Sequence, residues 1–182
     1  MLGEPGEPTA YRIEDPGVRA LFAEGSRYQA WLDVEAALAQ AQAELGIIPQ
    51  SAAQEITRKA QLSLLNLDNI HAGLARTGHS LVPLIWELDR VCDGDAGGYV
   101  HWGATTQNIT QTGQLLLLRR AHDIFLAQLA SILRAMAALA DALGEPERWE
   151  SRRRSGHPAG FIAAAVVAAA IVAAVITTAF IV

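Results

Sequence analysis

An all-α fold is predicted: a small N-terminal helical domain followed by the start of a central bundle of long helices. Three observations predict it. Ala and Leu, both strong helix formers, dominate a chain that is 51% hydrophobic and only 6% aromatic. β-Branched residues are scarce before the tail that begins at Ala159. From Thr105 to Leu143 there is no proline and a single glycine, Gly113, while apolar residues recur at helical spacing.

The elements follow in order. Residues 1–10 (MLGEPGEPTA) are acidic and rich in Pro and Gly, and read as a flexible arm. Pro16 and Gly17 punctuate the next stretch. Ser26 is placed to cap a first long helix, in which Trp31, Val34, Leu38 and Leu45 recur at helical spacing. Gly46 and Pro49 stop it. A second helix is expected over 51–65 and a third over 67–75, with a break at Gly78. A fourth covers 81–91, where Pro83 is tolerable only in the first turn. Asp93 to Gly98 (DGDAGG) reads as a loop. The last helix runs from about Thr105 to Leu143, marked by Leu115, Leu118, Phe125, Leu129, Ile132, Met136, Leu139 and Leu143. Its length and its wide apolar face suit a bundle helix buried on more than one side. The expected division is therefore 11–102 for the N-terminal helical domain and 103–182 for the start of the bundle.

Composition narrows the function classes. With 182 residues the chain is long enough for one good core. A net charge of −5 and the lack of a basic run interleaved with aromatics argue against a nucleic-acid partner. The single cysteine, Cys92, cannot close an internal disulfide, and the first residues do not read as a signal peptide. Both point to the cytoplasm. The tail 145–182 is atypical. It passes from a charged stretch with Arg152, Arg153 and Arg154 to an uncharged run from Ala159 to Val182. That run is long enough for a bilayer span, for which about 20 residues suffice. It is mostly Ala and Val, and a bundle helix is expected at the same place, so a membrane role is the weaker reading.

Two places carry chemistry. Thr105, Thr106, Gln107, Asn108, Thr110, Gln111 and Thr112 form an uncharged polar run where the long helix begins. Hydroxyl and amide donors there join unpaired backbone N–H groups and a partial positive charge, a setting for a carboxylate or phosphate. His101 and Trp102 lie just upstream, and Gly103 lets the backbone turn. The plainer reading is a Thr cap with a solvated first turn. The second place is Gly78-His79-Ser80, where His79 is either a general acid or substrate ligand, or a cap on the following helix. His71 and His122 lie on helices without a partner nearby in sequence. Asp33 and Glu35 read as surface charges with helix partners. No metal or nucleotide motif occurs, so neither metal nor cofactor is expected.

The run His101-Trp102-Gly103-Ala104-Thr105-Thr106-Gln107-Asn108 resembles the first signature region of the fumarase/aspartase superfamily. Within it, the closest similarity is to 3-carboxy-cis,cis-muconate cycloisomerase and adenylosuccinate lyase-like proteins. The stretch from Asp15 to Pro49 is similar to the first helices of the cycloisomerase-like branch. The resemblance implies an all-α homotetramer whose long helices form a common core, with active sites assembled from three signature regions on different subunits. It implies a cofactor-independent lyase or cycloisomerase acting on a small di- or tricarboxylate. Such an enzyme removes a proton next to a carboxylate, passes through an aci-carboxylate intermediate and eliminates anti to give a fumarate-type product. Carried over, Thr105 and Thr106 bind a substrate carboxylate, supported by Gln107 and Asn108. His101 lies near the substrate. His79, followed by Ser80, stands where the adenylosuccinate lyase branch often has a histidine.

The chain departs from the family pattern at Asn108 and Gln111, where acids are usual, which makes the pocket less negative. Where the second signature region is expected, the chain reads RWESRRRSGHPAG, and only His157 could stand in. The third region would lie beyond Val182, so an incomplete site is expected. A fragment with an out-of-frame tail, an uncertain tail assignment, and a truncated protein with a membrane-like tail are the three explanations weighed. The alternative function is a non-catalytic helical assembly protein.

Overall fold

In the computed structural model the described residues are 15–143; the arm at 1–10, His157 and the tail at 145–182 lie outside them. Every regular element among these residues is helical. The short α1 (Val18–Leu21) is opened by Asp15, whose Oδ1 accepts from the backbone N–H groups of Gly17 and Val18 at 3.3 and 3.1 Å. α2 (Glu24–Glu44) starts three residues earlier than a cap at Ser26 requires. Ser26 does not cap it. Its hydroxyl donates to the Ala20 carbonyl at 2.7 Å, tying the first turn of α2 back to α1.

α3 (Gln50–Lys59) also differs from expectation. The sequence places its end at Leu65, but the backbone leaves the helix at Ala60 and re-forms as a 3₁₀ turn at Leu62–Leu64. The cause is a side chain from α2. Gln29 accepts from the Leu62 N–H at 2.9 Å and donates to the Ala60 carbonyl at 3.1 Å. One amide thus satisfies two backbone groups that continued helix would have paired. α4 (Leu67–Thr77) is capped by Asn66, whose Oδ1 accepts from the Asn69 N–H at 3.2 Å, and it runs two residues past Ala75. α5 (Val82–Val91) carries Pro83 in its first turn, as the sequence requires. Gly94–Tyr99 winds as 3₁₀ helix where a loop was expected. α6 spans Thr106–Leu143.

Residues up to Ile124 form one compact unit. Its core holds Leu32, Ile56, Ile70, Leu81, Leu84 and Leu88, all essentially sealed from solvent. Each such side chain contributes about 1.5–3 kcal/mol by leaving water. The first turns of α6 join this unit through Ile109, Gly113 and Leu117, one stripe at i, i+4, i+8. A Cβ on Gly113 would stand 2.5 Å from Cδ1 of Trp31, so glycine is what lets α6 approach α2 so closely. The stripe that the sequence marks as apolar is a different one. Leu115 and Leu118 on it are exposed.

A second unit begins at Phe125. In its described part, Phe125, Ile132 and Leu139 are also exposed. Among the described residues, burial of α6 on more than one side, expected from its composition, is therefore not seen. By length and composition alone, Thr106–Asp141 would pass for a membrane span, as the core helices of bundles also do.

Candidate functional site

The site is built on the turn between the 3₁₀ run and α6. His101 adopts φ 59°, the one non-glycine residue in the left-handed region among those described, and Gly103 follows with φ 64°. A glycine takes that conformation without a Cβ clash; a histidine does so at a cost of about 1–3 kcal/mol and needs surroundings that hold it there. Two α2 side chains supply them. Glu35 Oε1 lies 2.6 Å from His101 Nδ1. Gln42 donates from Nε2 to the Trp102 carbonyl at 2.7 Å. The Trp102 ring also leans against Tyr99, with centroids 5.9 Å apart.

Glu35 overturns its surface reading. It lies among Trp31, Leu32 and Ala39 on the buried face of α2, its side chain 1% exposed, against 14% for His101. Burial pushes its carboxyl above the ordinary carboxylate range, and the hydrogen bond and charge of His101 pull the other way. Its second oxygen, Oε2, is sealed without a partner among the described residues, as is Oε1 of Gln42. A signal was available: Trp31, Glu35 and Ala39 share one helical stripe, and a carboxylate among apolar stripe positions asks for a partner. Asp33 keeps its expected character, part-exposed with Gln29 as its helix partner at 2.8 Å.

The polar run opens α6. The Thr105 carbonyl accepts from the N–H groups of Asn108 and Ile109 at 2.9 and 3.4 Å, which starts the helical ladder. Among the described residues nothing accepts from the N–H groups of Thr106 and Gln107, and neither the Thr105 nor the Thr106 hydroxyl caps the helix. Thr105, Gln107 and Asn108 are exposed and Thr106 is half-buried. Donors and helix N–H groups thus face solvent together right after His101.

The second candidate behaves as a cap. Nδ1 of His79 accepts from the N–H groups of Leu81 and Val82 at 3.3 and 3.4 Å, covering the start of α5. Ser80 is exposed. No hydrogen bond among the described residues joins His79 or Ser80 to His101 or to the 105–108 run. His71 pairs with Glu24 Oε2 at 3.0 Å, and His122 is exposed. No group of three potential metal ligands occurs among the described residues.

Comparison with known proteins decides the family. The chain is 42% identical over 134 residues to adenylosuccinate lyase of Methanothermobacter thermautotrophicus, a match covering 74% of this chain and 30% of that protein. It is 45% identical over 109 residues to N-acetyl-S-(2-succino)cysteine lyase of Dickeya dadantii, covering 60% of this chain and 24% of that protein. The fold superposes on β-carboxy-cis,cis-muconate cycloisomerase from Acinetobacter calcoaceticus with a TM-score of 0.66 and 32% identity, over 70% of this chain and 31% of that one.

Over this stretch the chain belongs to the fumarase/aspartase superfamily.

No family model matches it. The chain spans 30% and 24% of the lengths of the two lyases just named. The superfamily relatives are lyases and cycloisomerases, and the all-α architecture agrees with theirs.

Proposed function

We propose that this chain supplies one carboxylate-binding portion of a lyase or cycloisomerase active site. The substrate class is a small di- or tricarboxylate. One observation carries the reading: the uncharged donors of Thr105, Thr106, Gln107 and Asn108 meet the open N–H groups of α6 directly after His101. Removing a proton next to a carboxylate pushes its electron pair onto that carboxylate, giving an aci-form with a second negative charge. Fixed hydroxyl, amide and backbone donors stabilise that charge most where it develops. His101 lies at the edge of this cluster and acts on the substrate through Nε2, since Nδ1 is engaged. His79 and Ser80 enter through the family resemblance. With Nδ1 of His79 in the α5 cap, its Nε2 is the nitrogen that meets a substrate. Elimination is anti and gives a fumarate-type product, with no cofactor.

In this reading residues 11–102 form the small helical domain and 103–182 begin the bundle of a cytoplasmic tetramer. Apolar residues left exposed along α6 support association. Asn108 and Gln111, in place of the acids usual in the family, favour the second reading, a helical assembly protein without catalysis. Two measurements separate them. Fumarate titrated into the 182-residue chain should shift the backbone amide signals of 105–108. In the complete enzyme containing this chain, Thr106→Ala should lower turnover at least about tenfold, followed by ultraviolet absorbance of the fumarate-type product. Unchanged kinetics sinks the carboxylate assignment, and silent amides together with an inactive parent enzyme support the assembly reading.

A further inference from the structure

The geometry points to Glu35 as the positioning residue for His101: the buried carboxylate accepts from Nδ1–H, selects that tautomer, and leaves Nε2 as the working nitrogen. The inference rests on the reading of the neighbouring 105–108 run as a carboxylate site, which is what gives His101 a substrate to face.

Three observations carry it. First, packing does not account for Glu35. It occupies an apolar stripe position between Trp31 and Ala39 with its side chain 1% exposed, where a leucine or methionine would fill the same space without desolvating a carboxylate. Second, its polar contacts are few and aimed at one target. Oε1 takes the 2.6 Å contact with His101, and Oε2 has no partner among the described residues. A carboxylate that served only to tie helices together would have both oxygens satisfied, as Glu87 has. Third, the backbone at His101 is held where a non-glycine residue rarely sits, at φ 59°. Gln42 stands seven residues after Glu35, two helical turns along the same face of α2. It fixes the next carbonyl, that of Trp102, at 2.7 Å. One α2 face therefore clamps both the ring of residue 101 and the main chain of residue 102.

The chemical consequence concerns the proton. An ionised carboxylate accepts hydrogen bonds and cannot donate them, so the Nδ1–H form is the neutral tautomer compatible with a 2.6 Å contact. The lone pair then resides on Nε2. Without Glu35 the ring is free to carry its proton on either nitrogen and to turn about its side-chain torsions.

The test reads the tautomer directly. Long-range ¹H–¹⁵N spectra of the ¹⁵N-histidine-labelled 182-residue chain, taken at about pH 8.5 where free imidazoles are neutral, should show His101 with a protonated Nδ1 and an unprotonated Nε2. His101→Ala assigns the signals. Glu35→Leu should move His101 to predominantly Nε2–H. Glu35→Gln, which keeps the volume and the polarity of the position, should raise the Nε2–H fraction as well, because its amide offers a donor beside its acceptor. In the complete enzyme, Glu35→Gln should lower kcat roughly tenfold or more with KM little changed. An Nε2–H tautomer in the parent chain, an unaltered tautomer in the folded variants, or an unaltered kcat overturns the assignment. Failure of the carboxylate reading shows separately: the 105–108 amides then ignore fumarate while the His101 tautomer still depends on Glu35.

Discussion

Glu87 on α5 and Glu35 on α2 are the charged side chains buried among the described residues, and their surroundings differ. Glu87 accepts from the Asn66 N–H at 3.3 Å, from Asn69 Nδ2 at 2.9 Å, and from Arg90 Nε and Nη2, the latter at 2.7 Å. Arg90, followed by these other donors, holds its carboxyl below the ordinary range. Glu35 has one side-chain partner, His101, and its carboxyl is pushed up by burial. The first carboxylate is a latch between the start of α4 and α5. The second is a half-satisfied group beside a strained histidine. Full satisfaction marks a group kept for stability, and an orphaned oxygen next to an out-of-the-ordinary backbone marks one kept for a site.

Stability measurements can break this contrast. Glu87→Ala removes the acceptor shared by two asparagine donors and an arginine, and should cost about 2–3 kcal/mol in urea unfolding, the scale of hydrogen bonds to charged groups. A loss under about 1 kcal/mol would remove the latch from the comparison. Next in size is His79→Ala, which uncaps α5 and should cost about 1 kcal/mol, whereas His79→Asn should retain most of the cap. Equal losses in the two variants would show that Nδ1 does not cap. Glu35→Leu should change stability by less than about 1 kcal/mol, or raise it, because an apolar side chain replaces a desolvated carboxylate. A loss as large as that of Glu87→Ala would make Glu35 structural.

The smallest effect is in the pH profile, where the two carboxylates act with opposite sign. Glu87, with its folded value below 4.5, contributes stability that is present above 4.5 and is lost as pH falls through the folded value. Glu35, with its folded value above 4.5, contributes stability that is complete below 4.5 and is lost as pH rises through the folded value. Thermal midpoints across this range should therefore show a flatter acid limb in Glu87→Ala and a smaller decline above 4.5 in Glu35→Leu. The same slope in parent and variants would contradict both assignments.

Much of this was legible in the residues, and the limits have physical causes. Periodicity located α2, α5 and α6, and Pro83 fell in the first turn, where its missing N–H costs nothing. The end of α3 was not legible, because what halts it is Gln29, a side chain 31 residues away from the Ala60 carbonyl it bonds. The buried face of α6 was also misplaced. Leu and Phe mark one stripe, but Ile109, Gly113 and Leu117 touch the core, and only the closeness of Trp31 makes a glycine part of that face. Gly78-His79-Ser80 left cap and catalyst open, and the hydrogen bonds engage Nδ1 of His79 at the start of α5, a contact no sequence spacing fixes.

By itself the sequence determined the helical class, the start of α6 and the signature run that opens it, because composition, spacing and helix-end chemistry are local. It could not determine that Glu35 is buried or that it meets His101, 66 residues later. That pairing exists only once α2 packs beside the turn before α6, and the energy that makes it matter, the desolvation of a carboxylate, arises only in the packed interior.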